Sequence, residues 1–408
     1  MREKLPQHLQ NLREIPPSIV ALGFVSLLMD ASSETIHALL PVYLVTVFCT
    51  SMTAVGIIEG VAEATASIVK LFSGAISDWL GNRKLLAVFG YGVAALSKPI
   101  FPLAPSIAWL AAARFIDRIG KGIRGAPRDA LVADLAPPHL RGASFGLRQS
   151  LDTTGAFLGP AFAIGLMWLS ADNFTLVFWF AVLPASLAAA LLVVAVHEPA
   201  RASRHREVRL HLSLTQLKQL GSNFWLVVAA ATIFSLARFS EAFLILRAET
   251  LGLPLALAPL VLIAMNIVYA LSAYPAGAWS DRFGRMSVLR LGFLFLIAAD
   301  LALAFPQNLA GVALGILLWG LHMGLTQGLL PALVADTARP QSRGTAYGVF
   351  NFSSGLALLA ASIIAGELWD QLYPRATFLT GAGLTALALL GLAAATRRSP
   401  GLGSLDHG

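Results

Sequence analysis

The sequence predicts an all-α membrane protein with twelve transmembrane helices in two pseudo-symmetric six-helix bundles. Three observations predict it. Hydrophobic residues make up 57% of the 408 residues and charged residues 12%, against roughly 45–50% and 25% in soluble domains. Twelve apolar segments of bilayer length follow one another along the chain. Two motifs of the first half return about half a chain later. This composition excludes a soluble enzyme on a single anchor and a disordered chain. The lone cysteine, Cys49, excludes an intrachain disulfide scaffold.

The apolar segments, bounded by Pro, Gly and charge, fall at about 18–47, 54–77, 85–104, 107–128, 144–168, 175–196, 224–246, 255–278, 286–305, 311–335, 344–366 and 376–396. They are called spans 1 to 12. Each approaches the roughly 20 residues that cross a bilayer. Helices are required because an open segment in lipid has no other way to satisfy its backbone. The alternating ten-residue pattern of a barrel strand is absent. The first seventeen residues carry Arg2, Lys4 and Arg13, and the run after them is too long for a signal-peptide core, so no cleavable signal is expected.

An even number of spans puts both termini on one side. That side holds seventeen basic residues: Arg2, Lys4, Arg13, Arg83, Lys84, Arg141, Arg201, Arg204, Arg206, Arg209, Lys218, Arg282, Arg285, Arg339, Arg343, Arg397 and Arg398. The opposite loops hold Arg375. Positive loops stay inside, so both termini are expected in the cytoplasm. The net charge of +7 then reflects topology rather than nucleic-acid binding. The polar stretch 197–222 reads as a cytoplasmic linker. It separates an N-terminal bundle, 1–196, from a C-terminal bundle with a short tail, 223–408.

The repeat supports two halves. Gly74-Ala-Ile-Ser-Asp78-Trp-Leu-Gly81 returns 203 residues later as Gly277-Ala-Trp-Ser-Asp281-Arg-Phe-Gly284. Ala130-Leu-Val-Ala-Asp134, with Pro138, Arg141, Gly142 and Gly146, returns 202 residues later as Ala332-Leu-Val-Ala-Asp336, with Pro340, Arg343, Gly344 and Gly348. Parallel repeats of this kind build alternating-access carriers.

On these motifs the whole chain resembles the major facilitator superfamily (MFS). The loop Gly74-x3-Asp78-x2-Gly81-x-Arg83-Lys84, with its copy from Gly277 to Arg285, matches a family loop. The resemblance implies a charge relay there that stabilises one state of the cycle. Trp79 stands where the family has a basic residue. Span 5 reads Gly146-x8-Gly155-x3-Gly159-Pro160, four of the six positions of the family's proton-antiporter pattern, with Ala163 and Ile164 in place of two glycines. This resemblance implies exchange of substrate for protons and export. Generic close packing gives the same small-residue spacing. Arg114 of span 4 matches the family's antiporter arginine, and Arg118 replaces a usual glycine.

Charge inside a membrane is costly and marks function by default. At about 100° per residue, span 4 gathers Arg114, Asp117, Arg118, Lys121, Arg124 and Arg128 on an arc of about 120°. For Arg124 and Arg128, snorkelling to the interface is as good a reading as substrate contact. Span 1 groups Asp30, Ser33, Glu34 and His37. Span 2 groups Glu59, Glu63, Ser67 and Lys70. The proton-coupling candidates are Asp30, Glu34 and Arg114. The substrate candidates are His37, Glu59, Glu63, Asp117, Arg118 and Lys121, with Arg238, Glu241, Asn266 and Tyr269 in the second half. Arg148 and Asp152, four residues apart on the Gly155–Gly159 face, form a gating or substrate pair. With the two loop motifs, Asp134, Arg141, Asp336, Arg343, Gly284, Arg285 and Pro160 complete the conformational set. Fifteen embedded charges lie in the first half and five in the second.

The expected function is secondary active transport: proton-coupled export of a small polar, anionic or zwitterionic molecule by rocker-switch alternation. The alternatives are proton-linked uptake of an organic anion and efflux of a divalent metal or metal chelate. No nucleotide loop, H-E-x-x-H pair or nucleophile elbow is present, so no enzymatic activity is expected. No cofactor or structural metal is expected either, because the proton gradient supplies the energy. The expected partners are the lipid bilayer, protons and a small-molecule substrate, with no nucleic acid. The chain is expected to act as a monomer in a bacterial inner membrane.

Overall fold

The structure is a computed structural model that describes residues 14–80, 82–137, 140–198, 220–337 and 343–398. Its described residues are all-helical or connecting segments. Among the described residues, sixteen α-helices and one 3₁₀ turn build twelve membrane-length spans, because spans 1, 7 and 10 are interrupted and span 3 ends in a short extra turn. Ten of the spans are long and apolar enough to cross a bilayer. The other two, α6 (Ile107–Leu135) and α7 (Arg141–Leu169), are 29 residues each and bear the charged faces.

The chain divides into two compact units. Unit 1 comprises residues 1–40 and 65–209, and unit 2 comprises 41–64 and 210–408. The division therefore departs from the linker-based boundary, because residues 41–64 group with the C-terminal half. The expected linker, 197–222, lies mostly outside the described residues.

Unit 1 contains α1 (Pro17–His37), the second part of α3 (Met52–Leu80), α4 (Arg83–Ser97), α5 (Ile100–Leu103), α6, α7 and α8 (Phe174–Ala195). Pro17 at the first turn starts α1, where its missing N–H and fixed φ cost nothing. Asn82 and Asn173 cap α4 and α8, their side-chain oxygens accepting from the N–H groups of Leu85 and Leu176. The core joins Ile19, Leu22, Val25 and Met29 of α1 to Tyr91, Leu131, Val132, Ala188 and Leu192. In lipid, where burial gains little over the apolar solvent, such contacts hold helices together by close fit. The closest fit is between α1 and α7. A Cβ on Gly155 would meet the carbonyl of Leu27, and one on Gly159 would lie 2.7 Å from the Ala31 carbonyl and 2.8 Å from the Thr35 nitrogen. The Thr35 hydroxyl adds a 3.0 Å bond to the Gly159 carbonyl.

Unit 2 contains α2 (Leu40–Thr46), the first part of α3, α9 (Ser222–Ala237), α10 (Ala242–Thr250), a 3₁₀ turn (Leu255–Leu257), α11 (Leu260–Phe283), α12 (Arg285–Ala304), α13 (Leu309–Thr326), α14 (Leu329–Thr337), α15 (Arg343–Gln371) and α16 (Pro374–Arg398). Gly284 turns α11 into α12 at φ 84°, a conformation glycine adopts without penalty. Residues 41–64 belong here because α3 lies against α15. A Cβ on Gly56 would meet the Ser362 carbonyl, one on Gly60 would lie 3.0 Å from the Leu359 carbonyl, and one on Gly366 would lie 2.6 Å from Thr53 Cα. The end of α15 also caps α3. The Asp370 carboxylate accepts from the Met52 N–H at 2.9 Å and the Thr53 N–H at 2.7 Å.

Six of the eight tryptophans, Trp79, Trp109, Trp168, Trp179, Trp225 and Trp279, are exposed, beside exposed Leu96, Val194 and Leu271. A surface this apolar suits lipid, not water.

Candidate functional site

The charged face of α6 is buried in unit 1. Arg114, Asp117, Arg118 and Arg124 are each at most 3% exposed. A helix that is amphipathic inside a bundle must turn its polar face toward other polar groups, and α1, α4 and α7 supply them.

The deepest contact is between Asp117 and Lys98. Lys98 caps the end of α4. Its Nζ donates to Asp117 Oδ1 at 2.8 Å and to Ser33 Oγ at 2.9 Å. Burial at 1% and 3% leaves Lys98 dependent on Asp117, whereas Asp117 also has Arg118, Arg124 and Arg114 as electrostatic neighbours.

The α1 carboxylates have different partners. Asp30 faces Arg124 at a loose 3.7 Å. Glu34 accepts a hydrogen bond from or shares a proton with His37 Nδ1 at 3.1 Å. Arg114 is buried on the same face of α6, while Asp30 pairs with Arg124 and Glu34 with His37. Lys121 is exposed on the same helix. The Arg124 guanidinium also lies over the Tyr91 ring, 5.0 Å from its centroid.

A second layer joins α6 to α7. Arg128 Nη1 lies 3.3 Å from Asp152 and 3.2 Å from Ser26 Oγ, and its Nε lies 3.2 Å from Asp129. Arg148 reaches Asp152 at 3.4 Å and Asp129 at 3.9 Å. The Arg148–Asp152 pair expected from the four-residue spacing therefore shares its carboxylates with Arg128. In this set Arg128 is an ion-pair partner rather than a snorkelling side chain.

The loop motif also closes on itself. Arg83 Nη1 lies 2.9 Å from Asp134 Oδ2, joining the two repeated motifs. Glu198, which the motifs do not include, accepts from the Arg83 and Lys84 N–H groups at 3.0 Å each. Lys84 Nζ donates to the Val193 carbonyl at 2.8 Å. Gly74 and Gly277 are described, as is Pro160, which sits inside α7. Gly81 and the side chains of Asp78, Arg141, Asp281, Asp336 and Arg343 lie outside the described residues. Gly284 and Arg285 stand at the start of α12.

In unit 2, Arg238 and Glu241 flank the break between α9 and α10. Arg238 has Glu241, Tyr269 and Glu63 as its electrostatic neighbours, so four of the substrate candidates converge. Asn266 sits one turn before Tyr269 on α11, half-buried. Glu59 is fully buried. The break follows Ala237 in span 7, and span 1 is interrupted after His37. Discontinuous helices at matching points of two repeats are where carriers of this architecture build their sites.

The candidates thus fall into two sets. Asp30, Glu34, His37, Arg114, Asp117, Arg118 and Lys121 belong to unit 1. Glu59, Glu63, Arg238, Glu241, Asn266 and Tyr269 belong to unit 2. Lys98 and Glu198 are the residues that motif reading missed. Lys98 is an embedded lysine of span 3, but no pattern in that span points to Asp117. Among the described residues no cluster of three or more His, Cys, Asp and Glu side chains could hold a metal ion.

The sequence profile of the Major Facilitator Superfamily matches residues 22–362. The chain belongs to this superfamily. An uncharacterised MFS-type transporter of Methanocaldococcus jannaschii is 32% identical over 398 residues, covering 95% of this chain and 96% of the relative. MdtH of Photorhabdus laumondii, named a multidrug resistance protein, is 27% identical over 362 residues, with 85% of each chain covered. Among solved structures, the nucleoside transporter NupG aligns with a TM-score of 0.77 at 12% identity, over 93% of this chain and 99% of that one. That likeness concerns the fold alone. An MFS protein of this kind is an integral, multi-pass membrane transporter, with lipid around it and a small molecule as its substrate.

Proposed function

We propose that this MFS protein is a proton-coupled exporter of a small polar, anionic or zwitterionic molecule, and that it works by rocker-switch alternation in a bacterial inner membrane with both termini cytoplasmic. The observation that carries the reading is the position of Asp30. It lies on α1, which packs against the glycine face of α7, and it faces the cationic face of α6, with Arg124 at 3.7 Å and Asp152, Lys121 and Arg128 as further electrostatic neighbours. A carboxylate in that place has two partners to choose from. Paired with Arg124 it is ionised. When the pair opens, burial favours the protonated form. A helix movement that changes the Asp30–Arg124 distance therefore binds or releases a proton.

Glu34, with His37 beside it, is the second carboxylate on the same face and the next in line for that role. Arg114 and Arg118, both buried, and the exposed Lys121 make the same face of α6 cationic. Asp117 is held by Lys98 and contributes little net charge of its own. In unit 2, Arg238, Glu241 and Tyr269 offer charge of both signs with an aromatic wall. This mixture favours an anion or zwitterion over a purely apolar drug. Export is supported by the span 5 pattern and by the relative named for multidrug resistance.

Reconstitution into proteoliposomes with an imposed pH gradient and a panel of organic anions and zwitterions tests the reading. Export by antiport requires substrate and protons to move in opposite directions. Movement in the same direction supports uptake of an organic anion instead. Transport of a divalent cation, alone or chelated, supports the metal reading.

A further inference from the structure

Asp300 takes no part in the sites described above. It lies in α12 with no exposed surface, and neither carboxylate oxygen has a hydrogen-bond partner. Its surroundings are specific. Helices α12 and α13 run antiparallel, with Gly292 opposite Thr326 and Gly315 opposite Leu303. That register sets Asp300 level with Trp319. From α16, Gly381 faces the carboxylate so closely that a Cβ there would lie 2.7 Å from Asp300 Oδ2 and 3.2 Å from Phe239 Cε1. Two further buried groups on the same face of α13 lack partners: Trp319 Nε1 and His322 Nε2. The Trp319 ring lies 5.3 Å from that of Phe239 and 5.7 Å from that of His322.

An ionised carboxylate in such a place costs several kcal/mol when no cation answers it. Among the described residues, the titratable groups on the elements packed around α12 do not answer it. Arg238, at the end of α9, has Glu241, Tyr269 and Glu63 as its electrostatic neighbours. Arg247 of α10 donates to the Leu303 carbonyl. Arg375 of α16 lies over Phe305. His322 of α13, Tyr269 of α11 and Arg285 and Arg290 of α12 itself make no hydrogen bond or ion pair with Asp300. The charge is therefore avoided by a proton rather than by a partner. Phe239 and Gly381 also line a narrow cleft with the hydroxyl-bearing Thr377 and Thr380. It reaches the wall behind which Asp300 sits.

We propose that Asp300 is a proton-binding site of unit 2, loaded as the neutral acid in the conformation described, and that it exchanges its proton through the cleft bounded by Gly381 and Phe239. The site is separate from Asp30 and requires neither the exporter reading nor a known substrate.

Infrared difference spectroscopy on the purified full chain in lipid tests it. Wild type minus Asp300→Asn should show the carbonyl stretch of a protonated carboxylic acid. The band should shift in D₂O and fade reversibly as pH is raised. Ala365→Phe, which fills the cleft, should slow the D₂O shift. If Asp300→Asn does not fold, Asp300→Glu should move the same band to a different frequency. Absence of the band means that Asp300 is ionised and overturns the proposal. A band that neither D₂O nor pH alters identifies a sealed, static acid and overturns it equally.

Discussion

The Asp370 carboxylate at the end of α15 caps the start of α3 by accepting from the backbone N–H and the hydroxyl of Thr53, both at 2.7 Å. A helix N-terminus leaves four N–H groups without intrahelical partners. Here a residue more than three hundred positions away satisfies two of them, since Met52 N–H also donates to Asp370. The cap sits just beyond the close approach of Gly366 to Thr53. It therefore holds the first part of α3 within unit 2.

Loss of this cap should be measurable. Asp370→Ala should destabilise the protein by about 1 kcal/mol, the usual value of an N-cap, read as a lower thermal midpoint in detergent. Thr53→Val should cost less. The double variant should cost less than the sum of the two, because both remove the same hydroxyl–carboxylate bond. Full additivity would show that the two side chains do not act on each other.

Lys98→Met should be the most damaging single change in unit 1. It removes the hydrogen-bonded partner of the buried Asp117, and breaking a buried pair from one side costs about 3–5 kcal/mol. Lys98→Met combined with Asp117→Leu should recover much of the folded yield, because apolar groups then replace the whole pair rather than half of it. Size-exclusion profiles and thermal midpoints of the three variants check this.

Gly159→Ala should separate α1 from α7. The added methyl would lie 2.7 Å and 2.8 Å from backbone atoms of Ala31 and Thr35, which cannot rotate away as a side chain could. Overpacking of this kind costs about 1–3 kcal/mol. Gly146→Ala, where a Cβ meets nothing within 4 Å, should be neutral. Comparing the two by thermal midpoint separates packing from a general intolerance of the motif.

Arg83 and Asp134 should behave as a conformational pair, not a folding one. Partly exposed pairs contribute about 0.2–1 kcal/mol, so Arg83→Gln should leave the thermal midpoint nearly unchanged while altering the transport rate. Exchange of the two residues, Arg83→Asp with Asp134→Arg, should restore the rate in part. An unchanged rate in Arg83→Gln would remove the pair from the cycle.

Much of this arrangement is legible in the chain itself. Apolar length gives the twelve spans, because a bilayer has one thickness. The 202- and 203-residue offsets give the two halves. Helical periodicity gives the charged face of α6, whose Arg114, Asp117, Arg118 and Arg124 are all buried. What periodicity cannot carry is the identity of partners. Arg124 faces Asp30, and Lys98 reaches Asp117, because those distances depend on how helices are rotated against each other. The grouping of residues 41–64 with unit 2 follows from Gly56, Gly60 and Gly366, glycines whose value lies in what is opposite them. Asp300 is one of the embedded charges of the second half, and nothing near it in the chain points to Gly381 or Trp319.

The central claim, that Asp30 couples proton movement to export, is tested most directly by proton flux in proteoliposomes. Purified protein is reconstituted with a pH-sensitive dye inside, and the organic-anion and zwitterion panel is added to one side. The prediction is substrate-induced proton movement opposite to the substrate, lost in Asp30→Asn while substrate exchange without a gradient persists. Gradient-driven transport that survives intact in Asp30→Asn, or protons travelling with the substrate in the wild type, would contradict it.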